Sequence, residues 1–309
     1  MIELRAEADE VGLRLDAWLA GRFPEVPRAA VRRLLEAGDV TCAGRPCAKG
    51  DRVRAEAPYL LAREPRVETV APNAALPLEV VAEDDVLLAL RKPAGMDCQP
   101  NAPEEKDTLA NALLARFPEV AGVGDGPLTC GILHRIDRDT SGLVLAARTQ
   151  AVYAALRAQF SAHTVAKRYM ALVAGTVRTP GRLEHLLAHN PRCPGRMVDA
   201  SVWRDAKRPM RAVTAYKPLR TLRLCGRPCT LLDVDIRTGV THQIRAQLSF
   251  AGMPIVGDRR YGGFLPEGFP RHFLHACAAT LCHPLTGQTL TFEAPLTPDL
   301  SALLARAES

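Results

Sequence analysis

The charged run His134-Arg135-Ile136-Asp137-Arg138-Asp139-Thr140-Ser141-Gly142 sits between two apolar stretches, Gly131-Ile132-Leu133 and Leu143-Val144-Leu145-Ala146-Ala147. That pattern predicts a strand, a loop and a second strand, with the polar side chains presented at strand ends. Rigid corners of this kind commonly carry chemistry. Asp137 stands between Arg135 and Arg138, and cations that close favour its ionised form. An ionised carboxylate in a cleft is a candidate nucleophile or general base. The same residues also describe an aspartate that caps a turn and pairs with arginine. By spacing alone that structural reading is the commoner one.

A second candidate follows a strand. Thr230, Leu232, Val234 and Ile236 alternate with Asp233, Asp235 and Arg237, the pattern of a half-buried strand. Thr238-Gly239 then turns the chain into a helix expected from Thr241 to Ala251, ended by Gly252 and Pro254. Ile244 and Leu248 face inward there, while His242, Arg245 and Ser249 share another face. Arg245 could reach a cleft, and the spacing equally allows it to face solvent. Metal chemistry has weak support. Cys42 and Cys47, Cys225 and Cys229, and the group His272, His275, Cys277, Cys282 and His283 include no tight Cys-x2-Cys pair, so no metal site is expected. No glycine-rich phosphate loop is present, which argues against phosphoryl transfer.

The elements that must hold these residues are partly legible. Leu78 to Ala82 and Val86 to Leu90 read as a hairpin around Glu83-Asp84-Asp85, and Lys92-Pro93-Ala94-Gly95 turns the chain at its end. Thr108 to Phe117 has helical spacing. Thr149 can cap a helix with Val152, Ala155, Leu156 and Phe160 on its inner face. Lys167 to Gly175 reads as a strand, and the polar, proline-interrupted residues 181–212 predict irregular hairpins. Nearer the start, Leu15, Trp18, Leu19 and Phe23 recur at helical spacing. A second helix begins near Pro27, buries Val31, Leu34 and Leu35, carries Arg28, Arg32 and Arg33, and ends at Gly38. Val40-Thr41 and Arg52-Val53-Arg54 read as short strands. Pro58, Pro65, Pro72 and Pro77 punctuate a stretch with little periodicity, read as a linker over 58–76.

A chain of 309 residues holds one large core or two domains. Its 47% hydrophobic and 24% charged content is that of a soluble globular protein. Forty Lys plus Arg against 34 Asp plus Glu leaves +6, which fits a nucleic-acid partner without demanding one. Most of those cations are arginine, the side chain suited to bidentate phosphate contact. The N-terminus has no apolar signal core, and no apolar run reaches membrane-spanning length. With an odd nine cysteines, the expectation is reduced thiols, a cytoplasmic location and no membrane partner.

Taken together, the motifs resemble one family, the RluA-type pseudouridine synthases of ribosomal and transfer RNA. His134-Arg135-Ile136-Asp137-x-x-Thr140-Ser141-Gly142 matches its signature with Ile for Leu, and Lys92-Pro93-Ala94-Gly95 matches its Lys-Pro-Ala-Gly loop. Lys167-x-Tyr169-x-Ala171-x-Val173-x-Gly175 matches its tyrosine strand, and Arg237-Thr238-Gly239-Val240-Thr241-His242-Gln243-Ile244-Arg245 its arginine motif. Gly257-Asp258-x-x-Tyr261-Gly262, Leu274-His275-Ala276 and His283-Pro284 follow in family order. Arg91, Gln99 and Val240 depart from the usual Asn, His and Arg. Ahead of these, Arg14-Leu15-Asp16, Pro27-Arg28, Leu35-x-x-Gly38-x-Val40 and Gly50-Asp51 resemble the ribosomal S-four-type RNA-binding module, with Pro27 where Ser is usual and a shortened last hairpin.

The resemblance implies an α+β protein. A mixed, mostly antiparallel sheet with flanking helices and a central cleft would occupy 77–309, and a small α+β RNA-binding domain would occupy 1–57. It implies that Asp137, Tyr169 and Arg245 are catalytic. Asp137 would attack the anomeric carbon or take a proton from the sugar, with Arg245 paired to it. Tyr169 would stack on the uracil and help remove the carbon-5 proton. Lys92, His134, Arg135, Thr140 and His242 would contact substrate, and Arg14, Arg28, Arg32, Arg33 and Lys49 would line the RNA backbone. The isomerisation needs no cofactor and no metal. Its partner would be ribosomal RNA, ahead of transfer RNA, met by a monomer. A rival reading, an RNA-binding assembly factor with a silent site, would show loss of the Asp, Tyr or Arg, and all three are present.

Overall fold

The structure is a computed structural model that describes residues 1–55, 58–67, 69–203 and 205–307. The chain divides into two compact units, Met1–Thr69 with Gly126–Leu128, and Val70–Asp125 with Thr129–Ser309.

The first unit contains β1 (Ile2–Leu4), α1 (Leu15–Arg22), α2 (Arg28–Glu36), β2 (Val40–Cys42), β3 (Arg45–Pro46) and β4 (Tyr59–Leu61). Its four-stranded sheet has the order β1-β4-β2-β3, with Leu61 opposite both Ile2 and Val40. Leu15, Trp18 and Leu19 of α1 and Val31, Leu34 and Leu35 of α2 close one core with Tyr59 and Leu61. Two expectations are corrected here. The stretch read as a linker over 58–76 begins with β4, a strand central to the sheet, because three residues near Pro58 are too few to display an alternating pattern. The strand expected at Arg52–Arg54 reduces to a single bridge between Arg14 and Arg52. The boundary expected at residue 57 lies outside the described residues.

The second unit contains β5 (Glu79–Glu83), β6 (Leu87–Lys92), α3 (Leu109–Arg116), β7 (Ser141–Ala147), α4 (Gln150–Ser161), β8 (Ala166–Ala174), β9 (Gly181–His189), β10 (Met197–Asp199), β11 (Met210–Leu224), β12 (Arg227–Ile236), α5 (Gln243–Phe250), β13 (Leu274–Cys282), β14 (Thr289–Glu293) and α6 (Pro298–Ala305). Ten strands form one sheet in the order β10-β9-β11-β12-β8-β13-β7-β6-β5, with β14 also on β13. Among the described residues β7 and β13 make the sheet's one parallel pair, with His275 opposite Ser141. Parallel pairing sets the starts of two strands side by side. The loop entering β7 and the loop entering β13 therefore meet at one sheet end, and the first carries Asp137. Every residue of β7 is buried, as a continuous apolar run in a central strand requires.

The apolar lead-in at Gly131 to Leu133 is less than a strand, a bridge between Ile132 and Ala146. Residues 181–212, expected as irregular hairpins, include all of β9 and β10 and the start of β11. Most of β9 alternates between half-buried and exposed residues, so its polar composition hid a regular strand. On α4 the Thr149 hydroxyl accepts from the Val152 N–H as expected, but Tyr153 is buried where Ala155 was expected, and Ala155 is exposed. α5 starts at Gln243 because His242 has a left-handed backbone, φ 52°.

β7 and β13 approach closely at Gly142, whose φ is +118° and whose added Cβ would overlap the Ala276 carbonyl oxygen. Gly142→Ala should destabilise the protein by more than ~3 kcal/mol. Gly21→Ala, in α1 with open space around it, should be neutral or stabilising by ~0.5–1 kcal/mol. Urea unfolding midpoints of the two variants against the parent measure the difference.

Candidate active site

Asp137 opens a turn in which its carbonyl accepts from the Thr140 N–H at 3.0 Å. Each neighbour of Asp137 is gripped through its backbone. Cys98 Sγ lies 3.4 Å from the Ile136 nitrogen and 3.5 Å from its carbonyl oxygen. Lys92 Nζ and the Gly95 N–H both donate to the Arg138 carbonyl at 2.9 Å. Arg271, just ahead of β13, donates to the Asp139 carbonyl at 3.1 Å. The short loop is held at residues 136, 138 and 139, and the Asp137 side chain between them is 23% exposed on the cleft.

Arg245 meets that side chain from α5. Its Nη1 donates to Asp137 Oδ2 at 2.7 Å, while its Nε and Nη2 donate to the two oxygens of Asp258 at 2.7 and 3.0 Å. The fork on Asp258 is the bidentate geometry that orients a guanidinium. Asp258 is 1% exposed and also accepts from the N–H groups of Arg260 and Tyr261. Burial pushes the Asp258 carboxyl up, and the Arg245 bonds outweigh it, holding the group below its ordinary value.

Tyr169 on β8 and His242 ahead of α5 complete a cleft of about 1050 Å³ that also holds Asp137 and Arg245 in its walls. That is at the upper end of the roughly 300–1,000 Å³ usual for ligand sites. Arg135, Arg237, Arg259 and Arg260 stand exposed at this cleft. Burial, then the charge on Asp137, pushes the Tyr169 phenol far above its ordinary value. The ring is therefore a neutral phenol in this cleft. His242 Nδ1 lies 3.0 Å from Tyr261 Oη, and its Nε2 lies 3.9 Å from Asp137 Oδ2.

Several expected contacts are corrected by the geometry. Arg138 does not attend Asp137, because it pairs with Asp97 at 2.6 Å. Lys92 cannot touch RNA. It is fully buried, its Nζ donates to the carbonyls of Pro93, Met96 and Arg138, and burial lowers its pKa to about 8. The Thr140 hydroxyl is buried against His272 Nε2 at 2.7 Å, so it fixes the loop instead of facing substrate. His134 accepts the Leu145 N–H at Nε2 and stacks on Phe160, a half-buried wall group with burial pushing its pKa to about 3. Arg135 stays at the rim. In the first unit Arg14 forks onto Asp16 with two bonds of 3.0 Å, Arg28, Arg32 and Lys49 are exposed, and Arg33 is half-buried.

Asp258, Tyr261 and His272 were not read as site residues. Asp258 and Tyr261 lie in a quoted motif, but their part depends on the chain turning back after α5 to reach Arg245 and His242, 13 and 19 residues earlier. Among the described residues no group of three or more His, Cys, Asp or Glu is placed to hold a metal ion. Nor is any described helix long and apolar enough to cross a membrane.

The RNA pseudouridylate synthase family model matches residues 86–250, a span that contains Asp137, Tyr169 and Arg245. The chain belongs to that family. The synthase is an isomerase of RNA uridines. It is 34% identical to the ribosomal large subunit pseudouridine synthase D of Xanthomonas campestris over 95% of this chain and 88% of the relative. It is 39% identical to an uncharacterized RNA pseudouridine synthase of Chloroflexus aurantiacus, over 96% and 90% of the two chains. Human RNA pseudouridylate synthase domain containing 1 shares the fold, with a TM-score of 0.59 at 24% identity over 76% of this chain and 90% of that one. The mixed sheet with flanking helices is the fold the resemblance implied.

Two measurements test this geometry. Removing one partner of a buried ion pair typically costs about 3–5 kcal/mol, so Asp258→Ala should lower the synthase's unfolding free energy by that order and reduce turnover with it. His272 and His275 are held neutral by burial, their values pushed from 6.5 to about 3 and about 4. The unfolded chain takes up protons at both below about pH 6.5, and the folded chain does not until about pH 4 and below, so stability falls as pH drops through that window. From pH 7 to pH 5 this pair should remove roughly 4 kcal/mol of unfolding free energy, read from urea titrations at the two pH values.

Proposed function

We propose that the synthase converts uridine to pseudouridine in large-subunit ribosomal RNA, with Asp137 as the group that opens the reaction. The observation that carries this reading is the Asp137 carboxylate, bonded at one oxygen to Arg245 at 2.7 Å and projecting into a cleft large enough for a nucleotide. The substrate class is taken from relatives such as the ribosomal large subunit pseudouridine synthase D of Xanthomonas campestris.

In this reading Arg245 keeps Asp137 charged and aimed. The carboxylate either bonds to the anomeric carbon as the bond to uracil nitrogen 1 breaks, or takes the 2′ proton as uracil leaves. Uracil then turns, and its carbon 5 bonds to the anomeric carbon as the Asp137 oxygen leaves that carbon or as carbon 2′ takes its proton back. The carbon-5 proton is lost to solvent with the help of Tyr169, and nitrogen 1 takes one up. Tyr169, neutral and beside Asp137, supplies a flat face for the ring. Ordinary glycoside hydrolysis would use a second carboxylate set across the scissile bond from the first, whereas Asp97, Asp125 and Asp258 at this cleft pair with Arg138, Arg157 and Arg245, and Asp139 stands two residues from Asp137 on the same loop.

The target nucleotide must leave its stack, at about a few kcal/mol, and phosphate contacts supply the compensating attraction. Arg135 at the rim, with Arg14, Arg28, Arg32, Arg33 and Lys49 of an S-four-type first unit, would make them. His242 would contact the flipped nucleotide. The enzyme would act as a monomer in the cytoplasm.

Asp137→Asn should lower turnover by at least about a thousandfold and leave RNA affinity within about threefold of the parent. An Asn variant that isomerises uridine at near the parent rate would overturn the assignment. Pseudouridine mapping in a strain lacking the gene should show sites lost from large-subunit ribosomal RNA. Losses confined to transfer RNA would replace the substrate with that class.

A further inference from the structure

Beside Asp137 runs a buried hydrogen-bond chain whose protons have one consistent arrangement. The Met197 N–H donates to Tyr261 Oη at 2.8 Å, and a backbone N–H can only donate. Tyr261 is 1% exposed, and burial raises its phenol above the ordinary value, so the hydroxyl keeps its own proton. The acceptor within reach of that proton is His242 Nδ1, 3.0 Å away. Were Nδ1 protonated instead, the Tyr261 proton would have no acceptor among the described residues, on a side chain only 1% exposed to solvent. Nδ1 therefore accepts, and the imidazole proton sits on Nε2.

The other side of the ring agrees. Nε2 lies 3.9 Å from Asp137 Oδ2, so an N–H faces the carboxylate favourably where a lone pair would be repelled. Burial lowers the His242 pKa, which keeps the ring neutral and out of competition with Arg245 for Asp137. The ring is also held by shape. It meets Tyr261 edge-on at 88°, and Tyr261 is flanked by the Arg245 and Arg196 guanidiniums at 5.3 and 5.7 Å from its centroid. The left-handed backbone at His242, uncommon for a residue with a side chain, persists because these contacts over-determine it. The result is an N–H without a bonded acceptor among the described residues, on the wall of the cleft beside Asp137.

We propose that Tyr261 is a positioning residue that holds His242 as its Nε2–H tautomer, and that this N–H donates to a carbonyl oxygen of uracil as the ring leaves the ribose. The proposal rests on Asp137 opening the reaction. In either route the bond between the anomeric carbon and nitrogen 1 breaks with its electron pair staying on uracil. The anomeric carbon bonds to the Asp137 oxygen, or, once Asp137 has taken the 2′ proton, becomes doubly bonded to carbon 2′. Both routes put the same negative charge on nitrogen 1 and the two carbonyl oxygens. A fixed neutral donor there bonds the departing anion more strongly than the ground-state base, so it acts on kcat.

The test begins without RNA. Nitrogen-15 spectra of histidine-labelled parent protein, with His242 assigned by its loss in His242→Ala, should show a protonated Nε2 and a bare Nδ1. Tyr261→Phe should give a mixture of tautomers. In turnover assays His242→Ala should lower kcat by about a hundredfold, with KM for the RNA within about threefold. His242→Gln, whose amide N–H can stand near Nε2, should recover at least about tenfold of that loss. Tyr261→Phe should lower kcat by about tenfold in the parent and by less than about twofold in His242→Ala. A parent protein with its proton on Nδ1 would overturn the proposal, as would a folded Gln variant no better than Ala, or additive losses in the double variant. Should Asp137→Asn be inactive while His242→Ala keeps full kcat, this proposal alone falls. Should Asp137→Asn stay active, the underlying reading falls and the spectra still report the tautomer.

Discussion

One guanidinium holds the site together. Arg245 gives two N–H groups to Asp258 and a third to Asp137, so a single cation faces two carboxylates of unlike character. Asp258 is sealed from solvent and fully hydrogen-bonded, and its work is to orient the fork. Asp137 receives the Arg245 bond on one oxygen and lines the cleft with part of its side chain exposed. A lone lysine could not do this, because its point charge has no plane to divide between two partners. With Asp258 neutral or absent, Arg245 would be free to collapse wholly onto Asp137 and quench the group it now aims.

The sheet makes that meeting possible. Parallel pairing of β7 and β13 brings two loop ends together, and both contribute to fixing residues 136–140. Segment 92–98 holds Ile136 and Arg138 from one side through Cys98, Lys92 and Gly95, and Arg271 and His272 hold Asp139 and Thr140 from the other. Most of these bonds end on backbone carbonyls, which cannot rotate away. A buried ammonium among three neutral carbonyls is an expensive arrangement, and the loop it stabilises is the one that carries Asp137. Ser141 and His275 extend the same clamp between the paired strands, with the His275 Nε2–H donating to the Ala294 carbonyl.

Polar side chains in the signature run thus divide by direction and not by type. Thr140 and Lys92 carry groups that RNA could use, yet both are buried and spent on the protein's own backbone or on His272. Arg135 and Arg138 are alike in composition, and one rests at the rim while the other is tied to Asp97. His242 and His134 both line the cleft, but His134 has its Nε2 committed to Leu145, whereas the His242 Nε2 faces the cleft.

Local periodicity and turn chemistry were enough to mark β7, β8, β12 and α4, because burial alternation and helix caps act over a few residues. The charged run and the arginine helix were legible for the same reason. β4 and β9 were not, since a three-residue strand has no period and a half-exposed strand has no apolar signature. Spacing could name Asp137 and Arg245 as candidates without joining them, for they are 108 residues apart. Their bond, the burial of Lys92 and Thr140, and the tautomer of His242 depend on strand register and on which loop ends the sheet brings together. These are properties of chain segments closing on one another over long separations, so only the tertiary structure decided them.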